Sequence, residues 1–533
     1  MKNFIFATIV AAAALSACSE RISLDVDRQG TEKETELSHD MIVLGEQLSD
    51  PYSVDNMTKA LNSLYPSTKA TGHLEPTDFY VRFLPKDQAD MQLLAEKGVV
   101  MLDHPLDYRI VREGDWYHDP EIPENNITWQ YAVVPVDFEF PKNIRYERLE
   151  DCYLSEHDPV TKADGIDWFE VEREAFRLSG NASMLAPRTK AGDEVCFPEG
   201  YIKISDPDFS NEPVGVKGIR VCCNSFVKVA MAYTDEDGHY KMSRTYSTEL
   251  RYRLMFKNIK GFCQGLNFVL VPASVSTLGS QPAEGCSVTI DNYSNYYLFT
   301  RCVVNNAGYD YYQACEQSSG DIPLPPTDLR IWDVPILGSS FNIMMHHGVL
   351  LETFNPLHEV LGLYTIIAKI VQPDIYYGID GCSSYNEAYQ RALKAFAQAG
   401  HFAQVGMYWW QEYVISEVGE TAMMTFAELL GSIGSSNGNG GVGSYADIVH
   451  TYSNYCTTVL YQRHYTSSHD VMGERLYSPQ MLMYLDERGL GLEKLAPMFT
   501  SDVISYDVLK QKLLSYYPQF KNTILEAFAR YEK

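Results

Sequence analysis

The stretch Tyr385–Gln411, YNEAYQRALKAFAQAGHFAQVGMYWWQ, is the longest clean helical pattern in the chain. Tyr389, Ala392, Leu393, Phe396, Ala399 and Ala403 recur at i, i+3, i+4 spacing, which predicts an amphipathic helix with one apolar stripe. Asn386 is positioned to cap its start. The apolar stripe makes it a core helix, so the domain that contains it is expected to be built around helix packing.

The surrounding composition describes a folded, acidic chain. At 533 residues with 45% hydrophobic content it is long enough for roughly two to four domains with sizeable cores. Lys and Arg total 43 against 70 Asp and Glu, a formal net charge of -27. That balance, with no long basic run, argues against a nucleic-acid partner.

The N-terminus reads as an address. Lys2 gives a short positive region, Phe4–Leu15 is apolar, and Leu15-Ser16-Ala17-Cys18 closes it with small residues before a cysteine. This order resembles bacterial lipoprotein signals. The resemblance implies that 1–17 is a signal peptide and that Cys18 is lipidated, carrying acyl chains such as palmitate that attach the protein to the membrane. No later run reaches the roughly 18 apolar residues of a membrane span. Residues 18–40, polar and charged, read as a tether. The implied location is the outer membrane, periplasmic or cell-surface facing; Ser19-Glu20-Arg21 is not the acidic cluster that favours surface display.

Of eleven cysteines, those after Cys18 stand at 152, 196, 222, 223, 263, 286, 302, 315, 382 and 456, with no CxxC spacing. An extracytoplasmic address permits disulfides among those from 196 to 315, and buried free thiols are the equal alternative.

In chain order, Met41–Leu48 and Val54–Leu64 show short helical patterns. DFYVRFLP (78–85) reads as a strand, KDQADMQLLAEKG (86–98) as a helix, and VVMLDHPLDYRI (99–110) as a second strand, together a β-α-β unit. Asp103, His104, Asp107 and Asp115 form a polar group there, read as turn and cap chemistry because fixed ligand spacing is absent. DWFEVEREAFRLSG (167–180) is helical, and APRTKAGDE (186–194) is a linker, giving an α+β module over 41–195. Beyond it, EGYIKISDP, PVGVKGIRVCCNSFVKVAMAYTDEDGHYKM and STELRYRLMFKN alternate at strand intervals.

Within this second region, GVKGIRV (215–221) followed by TDEDGHY (234–240) resembles the carboxypeptidase-regulatory-like, transthyretin-type β-sandwich. The resemblance implies a sandwich over 196–262, with the second motif as the turn that opens a hairpin strand. Asp237-Gly238 would supply the positive φ of that turn; a calcium loop on Asp235, Glu236 and Asp237 lacks the EF-hand spacing. Residues 263–345 read as a β and loop-rich connection. Tyr293, Tyr296, Tyr297, Tyr309, Tyr311 and Tyr312 in it are either a sugar-stacking face or, on their strand propensity, strand packing.

Residues 346–533 read as mainly helical. His346, His347, His358 and Glu359 are its densest ligand types, but the HExxH pattern begun at His358 ends in Gly362. KAFAQAGHF (394–402) resembles the HELAHASHF helix of zincin-like lipoproteins of the Bacteroidetes, in which two histidines one turn apart hold zinc and the glutamate activates water. DFYVRFLP, YAVVPVDFEFP and PDIYYGID are similar to other segments of that family. On this resemblance the two histidine positions are Lys394 and Gln398, and the glutamate position is Ala395. GETAMMTFAELLG (419–431) resembles the family's third-ligand helix, with Met424 at the ligand position. An ammonium, an amide, a methyl and a thioether replace three ligands and a base together.

The resemblance thus implies a multidomain α+β lipoprotein ending in a zincin-like domain that carries no zinc or other cofactor and acts by binding a protein or glycan ligand. Two alternatives stand beside it. One is an active zinc peptidase on a displaced set drawn from His358, His401, Glu420 and Glu428; the other is a structural or glycan-binding lipoprotein. His450, His464 and His469 lack the spacing of a helical ligand pair. GSIGSSNGNGGVGS (431–444) lacks the lysine of a phosphate loop.

Overall fold

The computed structural model describes residues 41–66, 73–123, 126–158, 165–186, 197–265, 275–334, 338–349, 372–379, 382, 384–421, 445–465 and 479–531, with the backbone alone for 417–421. The chain is of the α+β class.

The first module contains β1 (Val43–Gln47), α1 (Val54–Leu64), β2 (Asp78–Leu84), α2 (Gln88–Glu96), β3 (Tyr108–Arg112), β4 (Gln130–Pro135), β5 (Arg145–Cys152) and α3 (Trp168–Leu178). Ser53, Asp87 and Asp167 cap the three helices through their side-chain oxygens, each cap contributing about 1 kcal/mol. β2 lies at the centre of an antiparallel sheet ordered β4-β2-β5. Because both edges of β2 are taken, β3 pairs instead with β1 in a separate two-stranded sheet. The expected β-α-β unit is therefore not formed. The helix expected over 41–48 is strand β1: so short a helical pattern cannot nucleate alone, and the pairing with β3 outweighs it.

The second region contributes β6 (Glu199–Ser205), β7 (Val214–Gly215), β8 (Ile219–Ser225), β9 (Lys228–Tyr233), β10 (His239–Lys241), β11 (Leu250–Asn258), β12 (Cys263–Gln264), β13 (Val275–Gln281) and β14 (Val288–Asp291). β10, β6 and β14 form one sheet with β7 added to β6, while β8, β9, β11 and β13 belong to another. Ile202, Ile204 and Tyr240 of the first sheet share an apolar core with Val221, Cys223, Leu250 and Tyr252 of the second.

That second sheet continues through β12 into β15 (Arg330–Val334), β17 (Ile375–Gly378) and β16 (Phe341–Asn342). β12, β15 and β17 run parallel, so strands from both sides of residues 262 and 345 are joined in one ladder. The stretch read as a connection of strands and loops carries, besides β12 to β16, the unexpected helix α4 (Tyr296–Gln317), 22 residues long and capped by Asn295. Its aromatic and β-branched residues suggested strands; burial on almost every face overrides that propensity and removes the amphipathic period.

α4 packs against α5 (Tyr385–Val405), the helix of the opening stretch. Glycines let the surroundings close in: a Cβ on Gly308 would lie 2.4 Å from Phe396 Cζ, and one on Gly400 would lie 2.3 Å from the Pro323 carbonyl oxygen. The cap of α5 is Ser384, whose Oγ accepts from Glu387 N, and Asn386 lies inside the first turn. The helix stops at Gly406, with φ +83°, and Met407–Thr421 continues as α6. α7 (Tyr445–His464), α8 (Gln480–Asp486), α9 (Leu492–Leu495), α10 (Tyr506–Tyr516) and α11 (Lys521–Tyr531) follow. One apolar core runs from Ile202 to Phe528. No described helix is long and apolar enough to cross a membrane.

Candidate functional site

On α5, Ala395 and Gln398 are buried and Lys394 is half-buried. The Ala395 carbonyl accepts a hydrogen bond from Asn342 Nδ2 at 2.7 Å. One turn on, His401 is fully buried among Tyr452, Trp409, Trp410 and Phe499. Its Nε2–H donates to the Phe499 carbonyl at 3.1 Å, and Nδ1 has no hydrogen-bond partner among the described residues. Burial pulls its pKa down to about 3, so the ring is neutral. Cys18, His358, Glu359, Met424 and Glu428 lie outside the described residues, as does the side chain of Glu420. Among the described residues no group of three or more His, Cys, Asp or Glu could hold a metal ion.

The other sequence candidates separate. His347 donates from Nδ1 to Asp374 Oδ1 and from Nε2 to the Thr327 carbonyl, both at 3.0 Å. His346 faces Asp328 Oδ2 at 3.3 Å. Both rings tie loops to the parallel strands. His104 binds Asp103 through Nδ1, and its Nε2 accepts from Arg251 at 2.6 Å and Arg253 at 3.2 Å. Asp107 accepts from the Tyr80 hydroxyl and Asp115 from Thr277 N. His104 and Asp115 thus anchor the first module to β11 and β13, while Asp107 braces β2 from within it.

The six tyrosines form no single face: Tyr293 is exposed before α4, while Tyr311 and Tyr312 are buried on it. At the turn Asp235–His239, Gly238 has φ +80°, and Asp235 Oδ1 accepts from Asp237 N and His239 N. The strands this turn joins do not pair as a hairpin, since β9 pairs with β8 and β10 with β6. The motif turns the chain from one sheet to the other. Every described cysteine after Cys152, and Cys152 itself, is a buried free thiol; Cys196 lies outside the described residues.

Sequence reasoning missed a cleft of about 120 Å³ between the first module and the two-sheet region. Val100, Leu102 and Val133 line it from one side, and Val229 and Met231 from the other. Asp78, His157 and Arg244 close one end. Asp78, buried at the start of β2, accepts from Thr77 Oγ1 and meets His157 Nδ1 at 2.8 Å. His157 Nε2 lies 2.6 Å from Arg244 NH2. A guanidinium can only donate, so Nε2 is an acceptor and the ring proton sits on Nδ1, facing Asp78. No local motif links these residues. His157 follows β5 in the short turn SEH, 79 positions after Asp78, and only the folded contact joins them.

Comparison with protein families, curated proteins and solved structures returns no match. The chemistry on offer is therefore read from geometry alone. The cleft combines apolar walls with an oriented imidazole and a guanidinium, groups that hold a ligand. It contains no Ser, Thr or Cys nucleophile in its lining.

Proposed function

We propose that this chain is a lipid-anchored cell-envelope protein that acts by binding, its C-terminal region being a zincin-like scaffold without peptidase chemistry. The observation that carries this reading is the α5 helix. It places Lys394 and Gln398 one turn apart where the resemblance puts zinc ligands, and it packs Ala395, the position of the base, into the core. None of the three can supply the chemistry of those positions. The leader ending at Cys18 supports the anchor.

Metal analysis of the purified protein tests the reading, together with a peptidase assay on unstructured peptides. The expected result is substoichiometric zinc and no cleavage. Stoichiometric zinc that is lost in His401→Ala or Glu428→Gln overturns it. That competing outcome, a peptidase on displaced ligands, is favoured by one feature, the unpartnered Nδ1 of His401 among the described residues. Labelling with a palmitate analogue tests the anchor: incorporation is expected in the natural chain and lost in Cys18→Ser.

A further inference from the structure

We propose that the cleft closed by Asp78, His157 and Arg244 binds a small monocarboxylate with an apolar tail of about four to six carbons. The proposal gives a ligand class to the binding role proposed above and rests on that role alone. Zinc content and carboxylate binding are measured separately, so either result can fail without the other.

The head group follows from the state of Arg244. Among the described residues its one hydrogen bond goes to the neutral imidazole of His157. Arg244 Nε forms an ion pair with Glu156 Oε1 at 3.6 Å, longer than a hydrogen bond, and Glu156 divides its charge with Lys228 at 3.7 Å. Lys228 itself is turned to Glu172 at 2.7 Å. Asp78 is committed to Thr77 and His157. The guanidinium is thus the group at this end without a hydrogen-bonded counter-charge, and its planar fork matches a carboxylate through two parallel N–H···O bonds. Asp78 fixes the His157 ring, and His157 in turn holds Arg244 facing the cleft.

The tail follows from the walls. Val100, Leu102, Val133, Val229 and Met231 offer only carbon and sulfur side chains along the cleft. An engineered apolar cavity of about 150 Å³ takes benzene, so a space of about 120 Å³ suits a short aliphatic chain or a small ring. A larger or doubly charged head would exceed what one guanidinium can neutralise.

The test is calorimetric or ligand-observed NMR titration of the purified chain with hexanoate and benzoate, with hexanamide and hexylamine as controls. Saturable binding of the acids is expected, with the amide and the amine weaker by about 10-fold or more, as befits loss of a charge-assisted pair. Arg244→Gln is expected to weaken hexanoate by about 10- to 100-fold. Val229→Phe, which fills the cleft and leaves the polar end intact, is expected to abolish binding of the acids. Absence of saturable binding in the millimolar range overturns the proposal, as does equal binding of acid and amide by the natural chain. Unchanged hexanoate affinity in either variant also overturns it.

Discussion

The Lys217 ammonium lies 2.7 Å from the Asp310 carboxylate, at the place where the turn between β7 and β8 reaches helix α4. The same carboxylate accepts the Tyr389 hydroxyl of α5 at 2.7 Å. One buried anion therefore ties the two-sheet region to both long helices. Asn305, Asn306 and Asn258 satisfy the Lys217 backbone around it.

Removing that anion is expected to be costly. Asp310→Asn leaves Tyr389 an acceptor but strands the Lys217 charge, and loss of one partner from such a pair costs about 3 kcal/mol. Lys217→Met combined with Asp310→Leu and Tyr389→Phe should recover most of the loss, because it removes both charges and leaves no buried hydroxyl without its acceptor. Urea unfolding at constant m-value reads both effects. A cost below about 1 kcal/mol for the single change would show that water reaches the pair and screens it.

Gly238 offers a test of the inter-sheet turn. A Cβ there would sit 2.1 Å from the Ile202 carbonyl oxygen, on a backbone at φ +80°. Gly98, at φ +79° with open space around it, isolates the conformational part. Gly98→Ala is expected to cost about 1 kcal/mol, and Gly238→Ala clearly more, since β6 must also move. Equal losses in thermal unfolding would refute the packing argument.

Much of the local structure was legible in sequence. Val54–Leu64, Gln88–Glu96 and Trp168–Leu178 lie within the stretches read as helices, and Tyr385–Val405 forms the greater part of the helix read over 385–411, which Gly406 divides, because period and caps are local properties. The strands from 199 to 258 were legible for the same reason. What failed depended on distant partners. α4 was hidden because a helix buried all round has no stripe, and its Tyr, Phe and Val residues carry strand propensity. β1 looked helical because its partner β3, which takes Val43 opposite Arg112 and Gln47 opposite Tyr108, lies more than sixty residues on. The cleft was illegible for a stronger reason: Asp78, His157 and Arg244 come from three separated segments, each reading locally as strand, turn or loop.

His347 predicts a loss of stability at alkaline pH. Burial alone would lower its pKa, but the hydrogen bond and charge of Asp374, with the Thr327 carbonyl, hold it above the usual value. A histidine with a raised folded pKa binds its proton more tightly in the native state. Its contribution is complete below the unfolded value of about 6.5 and is lost as pH rises through the folded value. His347→Gln should therefore destabilise the protein more at pH 6 than at pH 9. Denaturation midpoints across that range check it, and a pH-independent difference between the two proteins would refute it.

His401 predicts the opposite limb. Burial lowers its pKa to about 3, and burial, then the Arg251 charge, does the same to His104, also to about 3. Above about pH 6.5 both rings are neutral in the folded and unfolded chain alike. Between there and pH 3 the unfolded chain binds protons that the native one refuses, so stability falls as pH drops, by up to about 1.4 kcal/mol per unit for each ring. His401→Phe removes one of those protons while keeping an aromatic ring among Trp409, Tyr452 and Phe499. At pH 7 it is expected to cost about 1 kcal/mol, for the Phe499 carbonyl left without its donor. Below pH 6 that deficit should shrink and then reverse, so that the variant outlasts the natural chain in acid. Parallel acid limbs would mean that His401 is reached by water or by another proton donor. The ring would then be open to a cation, and the reading of α5 as a closed core helix would fall with it.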